Sequence, residues 1–555
     1  MTTRSGAEVL LEVLRSEGVR YIFGNPGSTE LPFIDALSDA PDLHYVLALH
    51  EASAVAMADG YAQATRRPAF LNFHTMSGLG NAIGALTNAR ANGTPMVVTA
   101  GQQHQDLLVG DPLLSDALVG IARPVSKWSH EVRSLGELGT MVRRAFHDAM
   151  TPPMGPVFLS IPISVLLAQG DPHVPGRSHI DRTVVSSEVG ELARRLAAVP
   201  VGRLAIVLAQ EVAHAGAIDA VRELAELLGA PVLGAPSVPV GVFPPAHPLW
   251  AGWLLPNAAS MRAVLEPFAS VLFLGGQPFL MSSHVGGSPV PDGVELLHVS
   301  PDALQLGRTY EVRLGLAGDL RATIAALLPE VRALADHDHA AAALAVAARS
   351  RAAAIDDEEN DALARYGPAP MDPRAAVHAL LRAMPDDTVV IDEAISNGAH
   401  VRALHRWTEA DRMYSGKQII GWGMGAAIGL CLAHDRKLPI LCISGDGSAM
   451  FGAQALWTAA HEDVPVVFVV LVNREYAILK QRLNELKGAA HRTGSPVGVD
   501  MNDPEIDFGA LATSMGLAFS AVEHTDDIAK AVAAVLAAGS PHLLIVPITG
   551  ADVNR

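Results

Sequence analysis

The stretch ILCISGDGS, residues 440–448, sets the fold class of this chain. An apolar run leads into Gly445-Asp446-Gly447, and a helical pattern follows over Gln454–His461. An unbroken apolar run that stops at glycine and precedes a helix reads as a strand covered on both faces. Strands of that kind belong to parallel sheets with helices on either side. Side chains at the carboxyl end of such a strand converge on a crevice. Glycines flanking Asp446 let the backbone approach a diphosphate closely, and the carboxylate can hold a hard cation bridging the phosphates.

A second run, Val466–Val472, ends at Asn473 and continues as Arg474-Glu475-Tyr476. Asn473 lies 27 positions after Asp446, a gap that accommodates one helix and one strand. Both side chains can then reach one edge of the sheet. A carboxylate, an amide oxygen and a backbone carbonyl suit octahedral Mg²⁺, with diphosphate oxygens and water completing it. A lone Gly-Asp-Gly is more often a plain turn; the matched asparagine favours the cation site. The glycines at 421, 423, 425 and 429 superficially suggest a dinucleotide fingerprint. They follow no clear strand, and no acidic residue ends a strand ~20 positions later, so close helix packing is the expected use.

The same alternation extends along the chain. Tyr45–Leu49, Ala69–Phe73, Pro95–Ala100 and Gly155–Pro162 read as strands of a first unit, and Leu204–Ala209, Val271–Gly275 and Leu296–Val299 as strands of a second. Val389–Ile391, Ile440–Ser444, Val466–Val472 and Leu543–Val546 belong to a third, which opens at Asp372-Pro373 as N-cap and first helical residue. The fold class is α/β, with three doubly wound parallel-sheet domains expected at 1–170, 188–330 and 369–555. The alanine-rich, charged segment 333–368 reads as an exposed helical linker, a composition that also suits partial disorder.

At 555 residues, 50% hydrophobic and 18% charged, the chain can bury large cores and is not disordered as a whole. A net charge of −18 disfavours nucleic acid and anionic lipid surfaces as partners. Cys431 and Cys442 alone build neither a disulfide framework nor a cysteine zinc site. Glu8, Glu12 and Arg15 interrupt any secretory core near the start, and no apolar run approaches the ~18 residues that span a bilayer. A cytoplasmic location is expected.

Three further residues sit at predicted strand ends. The loop Phe23-Gly-Asn-Pro-Gly-Ser28-Thr-Glu30 follows a short strand, Glu51 follows the strand Tyr45–Leu49, and His74 follows Ala69–Phe73. Apolar surroundings raise the pKa of a carboxyl, so Glu51 could exchange a proton with a ring nitrogen near neutral pH. From composition alone, its place at a helix N-terminus is better accounted for by the helix dipole. A lone histidine is more often structural; Ser28, Glu51 and His74 at one predicted sheet edge form a candidate acid–base group.

These residues carry a family resemblance. Gly445-Asp446-Gly447 with Asn473 resembles the thiamine-diphosphate motif. The loop 23–30, Glu51, the stretch 58–62 (ADGYA) and Gly101-Gln102-Gln103 resemble the benzoylformate decarboxylases among the thiamine-diphosphate-dependent 2-oxo acid decarboxylases. The resemblance covers essentially the whole chain and implies pyrimidine-binding, central and diphosphate-binding domains. It implies thiamine diphosphate and Mg²⁺ as cofactors, with Asp446, Asn473 and the carbonyl of Glu475 on the metal. Gly445, Gly447, Ser448 and Tyr476 join the cofactor site. Glu51 would bond N1′ of the aminopyrimidine, the Gln418 carbonyl would accept from the 4′-amino group, and Ile420 would hold the cofactor bent. Ser28 and His74 match residues that touch the substrate carboxylate and handle protons, and Leu113 and Leu114 match an apolar pocket wall. A homodimer is the smallest working unit the resemblance implies, with a homotetramer expected.

The chain also departs from that pattern. Gap-free matching puts Ser282 where a second catalytic histidine is expected, and His284 follows two positions later. Ile478 and Arg482 stand where a small residue and a phenylalanine are expected in the substrate pocket. A guanidinium at 482 could bind an anionic substrate end or turn to solvent. The expectation is non-oxidative decarboxylation of a 2-oxo acid, with benzoylformate as candidate, to an aldehyde and CO₂. The alternative is a C–C lyase or carboligase resembling 2-hydroxyacyl-CoA lyase or acetolactate synthase.

Overall fold

Ile440–Gly445 and Val466–Val472 lie side by side in parallel, Gly445 opposite Leu471, and both are buried along nearly their whole length. That burial on two faces is why the two runs carry no polar alternation. The structure is a computed structural model that describes residues 3–283, 287–406 and 409–550. The chain divides into two compact units, one of Met1–His179, Arg365–Val401 and Gln418–Arg555, the other of Ile180–Ala364 and Arg402–Lys417. Three six-stranded sheets build them.

In the first sheet the order is His44–Leu47, Tyr21–Asn25, Ala69–Phe73, Met96–Gln102, Pro156–Pro162, Ser129–Glu131, all parallel. The chain reverses its winding between Tyr21–Asn25 and Ala69–Phe73. A doubly wound sheet opens its ligand crevice at that reversal, beyond the carboxyl ends of the strands. The loops that leave these strands carry Ser28 and His74. In the last sheet five of the six strands, Val389–Glu393, Ile440–Gly445, Val466–Val472, His542–Pro547 and Ala518–Ala521, run in that order, again parallel. The central sheet runs Trp250–Trp253, Val232–Gly234, Leu204–Leu208, Ser270–Leu274, Glu295–Ser300, Leu314–Ala317. Helix His337–Leu363 follows, with only Ala340 and Ala362 of its residues buried. Asp372 caps the helix Pro373–Ala383 through the amides of Arg374 and Ala375. Among the described residues no helix is long and apolar enough to cross a membrane.

The first and last sheets share one unit because two helices touch backbone to backbone. Helix Glu51–Thr65 is made almost wholly of small residues, and helix Gly423–Ala433 carries the glycines noted above. A Cβ added at Gly429 would stand 1.9 Å from the Met57 carbonyl oxygen, and one at Gly425 would stand 2.7 Å from Ala56 Cβ. From the opposite side, a Cβ at Gly60 would stand 2.5 Å from the Ala426 carbonyl oxygen. The glycine run is therefore a packing surface.

The turn into the second helix is held from the sheet. Glu393, the last residue of its strand, accepts from the Trp422 N–H at 2.7 Å. Burial pushes its carboxyl up to about 8; the amides of Gly423, Trp422 and Gly421 oppose that rise, and neighbouring Asp392 adds to it.

Two outcomes follow for stability. Gly429→Ala should destabilise the protein by at least the ~1–3 kcal/mol typical of overpacking. Gly84→Ala, in a helix with no atom within 4 Å of the new methyl, should be neutral or stabilising by up to ~1 kcal/mol. Denaturant midpoints of the two variants check this, and equal midpoints would sink the packing argument. For Glu393, between 4.5 and about 8 the folded state alone holds the proton. Its contribution is therefore complete below that window and is lost as pH rises through it, by up to about 1 kcal/mol per pH unit. Glu393→Gln should show a shallower fall in Tm than the unaltered protein from about pH 5 to about pH 8; parallel curves would exclude the assignment.

Candidate active site

Glu51 begins its helix after His50, whose ring accepts from the Ala52 N–H. The carboxyl group is 6% exposed and takes one amide donor on each oxygen: Asn25 Nδ2 at 3.1 Å on Oε1 and Asn81 Nδ2 at 3.0 Å on Oε2. Asn25 ends the neighbouring strand, so the sheet reversal itself supplies one of the two. Each oxygen keeps acceptor capacity for a further partner.

His74 is the N-cap of helix Thr75–Asn92. Its Nδ1 stands 3.0 Å from Glu30 Oε2 and 3.2 Å from Thr29 Oγ1. Glu30 is 1% exposed, and it also accepts from the Gly27 N–H at 2.8 Å and the Thr29 hydroxyl at 2.6 Å. An ionised carboxylate only accepts, so Nδ1 carries the proton and Nε2 is the basic nitrogen. Ser28 is exposed on the same turn. Sequence reading singled out Ser28 and His74 and missed Glu30. The available signal was the three-residue spacing of Gly27 and Glu30, across which the Glu30 carboxylate reaches back to the Gly27 N–H.

Two glycines allow this cluster to close. A Cβ at Gly27 would lie 2.2 Å from the His74 ring, and one at Gly101 would lie 1.9 Å from Glu30 Oε1. Next to His74, Thr75 is fully buried with φ at +40°, a left-handed conformation that a β-branched residue rarely adopts. Backbone strain of this kind concentrates at functional sites.

Gln102 and Gln103 hold a loop over the same edge. Gln102 Nε2 donates to the Asp116 carbonyl at 3.1 Å, and Gln103 Nε2 to that of Leu113 at 2.8 Å. Leu113 is 87% and Leu114 47% exposed, with Leu107 and Val109 also open to solvent nearby. The loop therefore presents an apolar wall with nothing against it in the single chain.

At the other sheet, Asp446 accepts from three backbone amides. Gly447 N donates to Oδ1 at 2.8 Å, and Asn473 N at 3.0 Å and Arg474 N at 2.5 Å donate to Oδ2. Burial raises the Asp446 pKa, and the three amides oppose the rise. Asn473 Oδ1 accepts from Glu475 N at 3.2 Å. Asp446 and Asn473 each retain acceptor capacity. The Glu475 side chain is taken up by a close ion pair with Lys480, leaving its carbonyl as the donor of interest. Ser448 is buried beside Asp446, and a Cβ at Gly447 would meet the Tyr476 ring at 2.5 Å. Among the described residues no group of three or more His, Cys, Asp or Glu gathers as a metal site. One carboxylate with neutral oxygens is a donor set of low charge. It fits a magnesium ion that shares its coordination with an anionic diphosphate.

Gln418 is exposed and Ile420 half-buried on the segment leading into Trp422. The Gln418 N–H donates to Asn88 Oδ1 at 2.9 Å. Ile478 is half-buried on helix Ala477–Leu486. Arg482 pairs with Glu485 at 2.8 Å, both side chains about three-fifths exposed (61% and 62%). His284 lies outside the described residues. Ser282 is exposed in a loop, its amide donating to the Pro256 carbonyl.

The structure thus gathers two clusters: Ser28, Glu30, Glu51 and His74 at the reversal of the first sheet, and Asp446, Ser448, Asn473, Glu475 and Tyr476 beyond the carboxyl ends of two adjacent strands of the last.

Comparison with known proteins gives this geometry a context. Residues 4–115 match the thiamine pyrophosphate enzyme N-terminal TPP binding domain, residues 190–327 the central domain and residues 396–546 the C-terminal TPP binding domain. A benzoylformate decarboxylase of Pseudomonas aeruginosa is 34% identical, with 97% of each chain covered. The large subunit of acetolactate synthase from Haemophilus influenzae is 26% identical over 93% of this chain and 89% of its own. Among solved structures, the thiamine diphosphate-dependent 4-hydroxybenzoylformate decarboxylase of Rhodococcus jostii RHA1 superposes with a TM-score of 0.87 at 29% identity, covering 99% of this chain and 100% of that one. With the family's three domains present in order and a relative aligned along nearly its full length, this chain belongs to the thiamine-diphosphate-dependent enzymes.

Proposed function

We propose that this chain is a thiamine-diphosphate- and Mg²⁺-dependent decarboxylase of an aryl 2-oxo acid of the benzoylformate type, releasing CO₂ and an aldehyde. The observation that carries the reading is the Glu30–His74 pair beside Ser28 and Glu51. It supplies proton-handling groups, one with a fixed tautomer, at a sheet reversal bordered by apolar Leu113 and Leu114. The similarity to two decarboxylases of this substrate type supports the choice of substrate.

Loss of CO₂ from a 2-oxo acid leaves an electron pair on the former carbonyl carbon, and that pair needs a sink. Bound thiamine diphosphate supplies the sink through its thiazolium ring. The protein's own residues then have separable tasks. Asp446, Asn473 and the Glu475 carbonyl hold the magnesium ion that carries the diphosphate. Glu51, its orientation fixed by Asn25 and Asn81, would hold a proton at the position facing the coenzyme's pyrimidine ring. The Gln418 carbonyl and the Ile420 side chain would contact the coenzyme. The Ser28 hydroxyl binds the substrate carboxylate. His74, with Nδ1–H donated to Glu30, uses Nε2 to deliver and collect protons at the reacting carbon. Leu113 and Leu114 line the aryl end. Arg482 sits at the rim with Glu485 and comes into play only for a substrate with an anionic tail.

Since Glu51 and Asp446 stand in separate clusters of one chain, the working site takes one cluster from each of two copies. A homodimer is then the minimal enzyme, and a homotetramer is compatible with it. The open apolar side chains Leu113, Ile395 and Phe451, 87%, 47% and 56% exposed, suit burial against a second copy. A carboligase reading is kept alive by the acetolactate synthase relative. It predicts condensation of two 2-oxo acids in place of free aldehyde.

A panel of 2-oxo acids assayed with thiamine diphosphate and Mg²⁺ decides between the two. Benzoylformate should give CO₂ and aldehyde in equal amounts, whereas CO₂ with a condensed hydroxy-ketone product and no aldehyde would favour the carboligase. Glu51→Gln should lower kcat by about 10²-fold or more, and a loss under about 10-fold would remove Glu51 from the proton path. Glu30→Gln should lower turnover to nearly the extent of His74→Ala, because it releases the tautomer. A full-speed Glu30→Gln enzyme would refute the role given to the pair.

A further inference from the structure

Asp59 is the most deeply set acid on the Glu51 helix, with no exposed surface at all. Its carboxylate takes five neutral donors: Thr94 Oγ1 at 2.6 Å, Gln63 Nε2 at 2.8 Å, Trp422 Nε1 at 2.9 Å, Asn88 Nδ2 at 3.1 Å and Asn92 Nδ2 at 3.2 Å. A buried carboxylate is a poor way to gain stability, because apolar side chains of like volume pack as well without the desolvation cost. Its use is better sought in what it orients.

Two of the five donors lead to one short segment. Trp422 closes the segment Gln418–Trp422 at its far end, its indole N–H on Asp59 and its backbone N–H on Glu393. Asn88 holds the near end. Its amide N–H₂ points at Asp59, so its carbonyl oxygen faces the Gln418 N–H. The segment between these anchors has little packing of its own, since Gln418 is exposed and residues 419–421 are only half-buried. Gly421, at φ +84°, is wedged against Phe451. Hydrogen bonds, more than apolar contact, fix where Gln418 and Ile420 stand.

We propose that Asp59, acting through Asn88 and Trp422, is a positioning residue for the coenzyme: it clamps both ends of Gln418–Trp422 so that Gln418 and Ile420 are preset before the coenzyme arrives. This rests on the proposed contact of Gln418 and Ile420 with thiamine diphosphate. The carboxylate is required because a single side chain must accept from the tryptophan and the asparagine at once; an asparagine at 59 would turn its own N–H₂ towards some of these donors.

The test uses full-length protein and calorimetric titration of thiamine diphosphate at fixed Mg²⁺. Asp59→Asn and Asn88→Ala should each weaken coenzyme binding by about 10- to 100-fold, the range for loss of an outer-shell partner. At saturating coenzyme kcat should recover to within about 3-fold of the unaltered enzyme, so that the loss lies in coenzyme affinity. Val142→Ala, in the apolar core on the far side of the first sheet, should lower Tm with coenzyme affinity unchanged. Trp422→Phe keeps the ring and removes one donor; it should give an intermediate loss and serves if Asp59→Asn fails to fold. Variants that bind coenzyme like the unaltered protein, with only Tm reduced, would overturn the positioning role and leave the proposed function standing. Failure of the unaltered protein to take up coenzyme would overturn both.

Discussion

The backbone contact between helices Glu51–Thr65 and Gly423–Ala433 is the constraint on which the rest depends. Helix axes approach this closely only when side chains vanish at the crossing, and Gly60, Gly425 and Gly429 vanish there. One helix starts at Glu51, and the other starts just after Gln418 and Ile420. Fixing the crossing therefore fixes the two ends that are proposed to face coenzyme. The buried Asp59–Trp422 hydrogen bond crosses the same seam and sets its register. Apolar packing supplies the attraction, and the polar bond selects one alignment among several that small residues would tolerate.

A second constraint is topological. In the first and last sheets the chain starts at the second strand, steps out to the edge and then crosses back past its start, and that reversal leaves a crevice beyond the strand ends. In the first sheet that crevice collects acid–base groups; in the last it collects an acid, an amide and glycines. Neither sheet collects both sets. Division of these groups between two crevices is the ground for the proposal that two copies share the working site, and the loop bearing Leu113 carries an exposed apolar wall.

Much of this was legible in the residues. Ile440–Gly445 and Val466–Val472 were recognised because central parallel strands are buried on both faces and leave unbroken apolar runs. The cation-binding reading followed from where those runs stop. The strands Ser129–Glu131, Trp250–Trp253, Leu314–Ala317 and Ala518–Ala521 escaped notice. These four are edge strands of three or four residues, covered on too few sides to need a continuous apolar face; Val232–Gly234 also escaped, an inner strand but only three residues long. Glu30 escaped for a different reason. Its partners Gly27, Thr29 and His74 come from two segments that meet only in the fold, and its glycine tolerance depends on Gly101 in a third. The glycine run at 421–429 was read as packing, and the Met57 and Ala56 contacts supply the physical ground for that reading. Asp59 was noticed only as part of a motif. A buried acid with five neutral donors drawn from four places in the chain has no signature along the sequence.

The glycines around Glu30 and His74 also set limits on redesign of this protein. Position 101 has no room for even a methyl group, and position 27 has none beside the imidazole. Positions 27 and 101 are thus closed to any side chain larger than glycine. Leu113, by contrast, is 87% exposed, so its side chain can grow or shrink without a packed neighbour. Libraries aimed at new substrates should therefore be concentrated on that wall, where altered specificity is separable from loss of the proton-handling machinery.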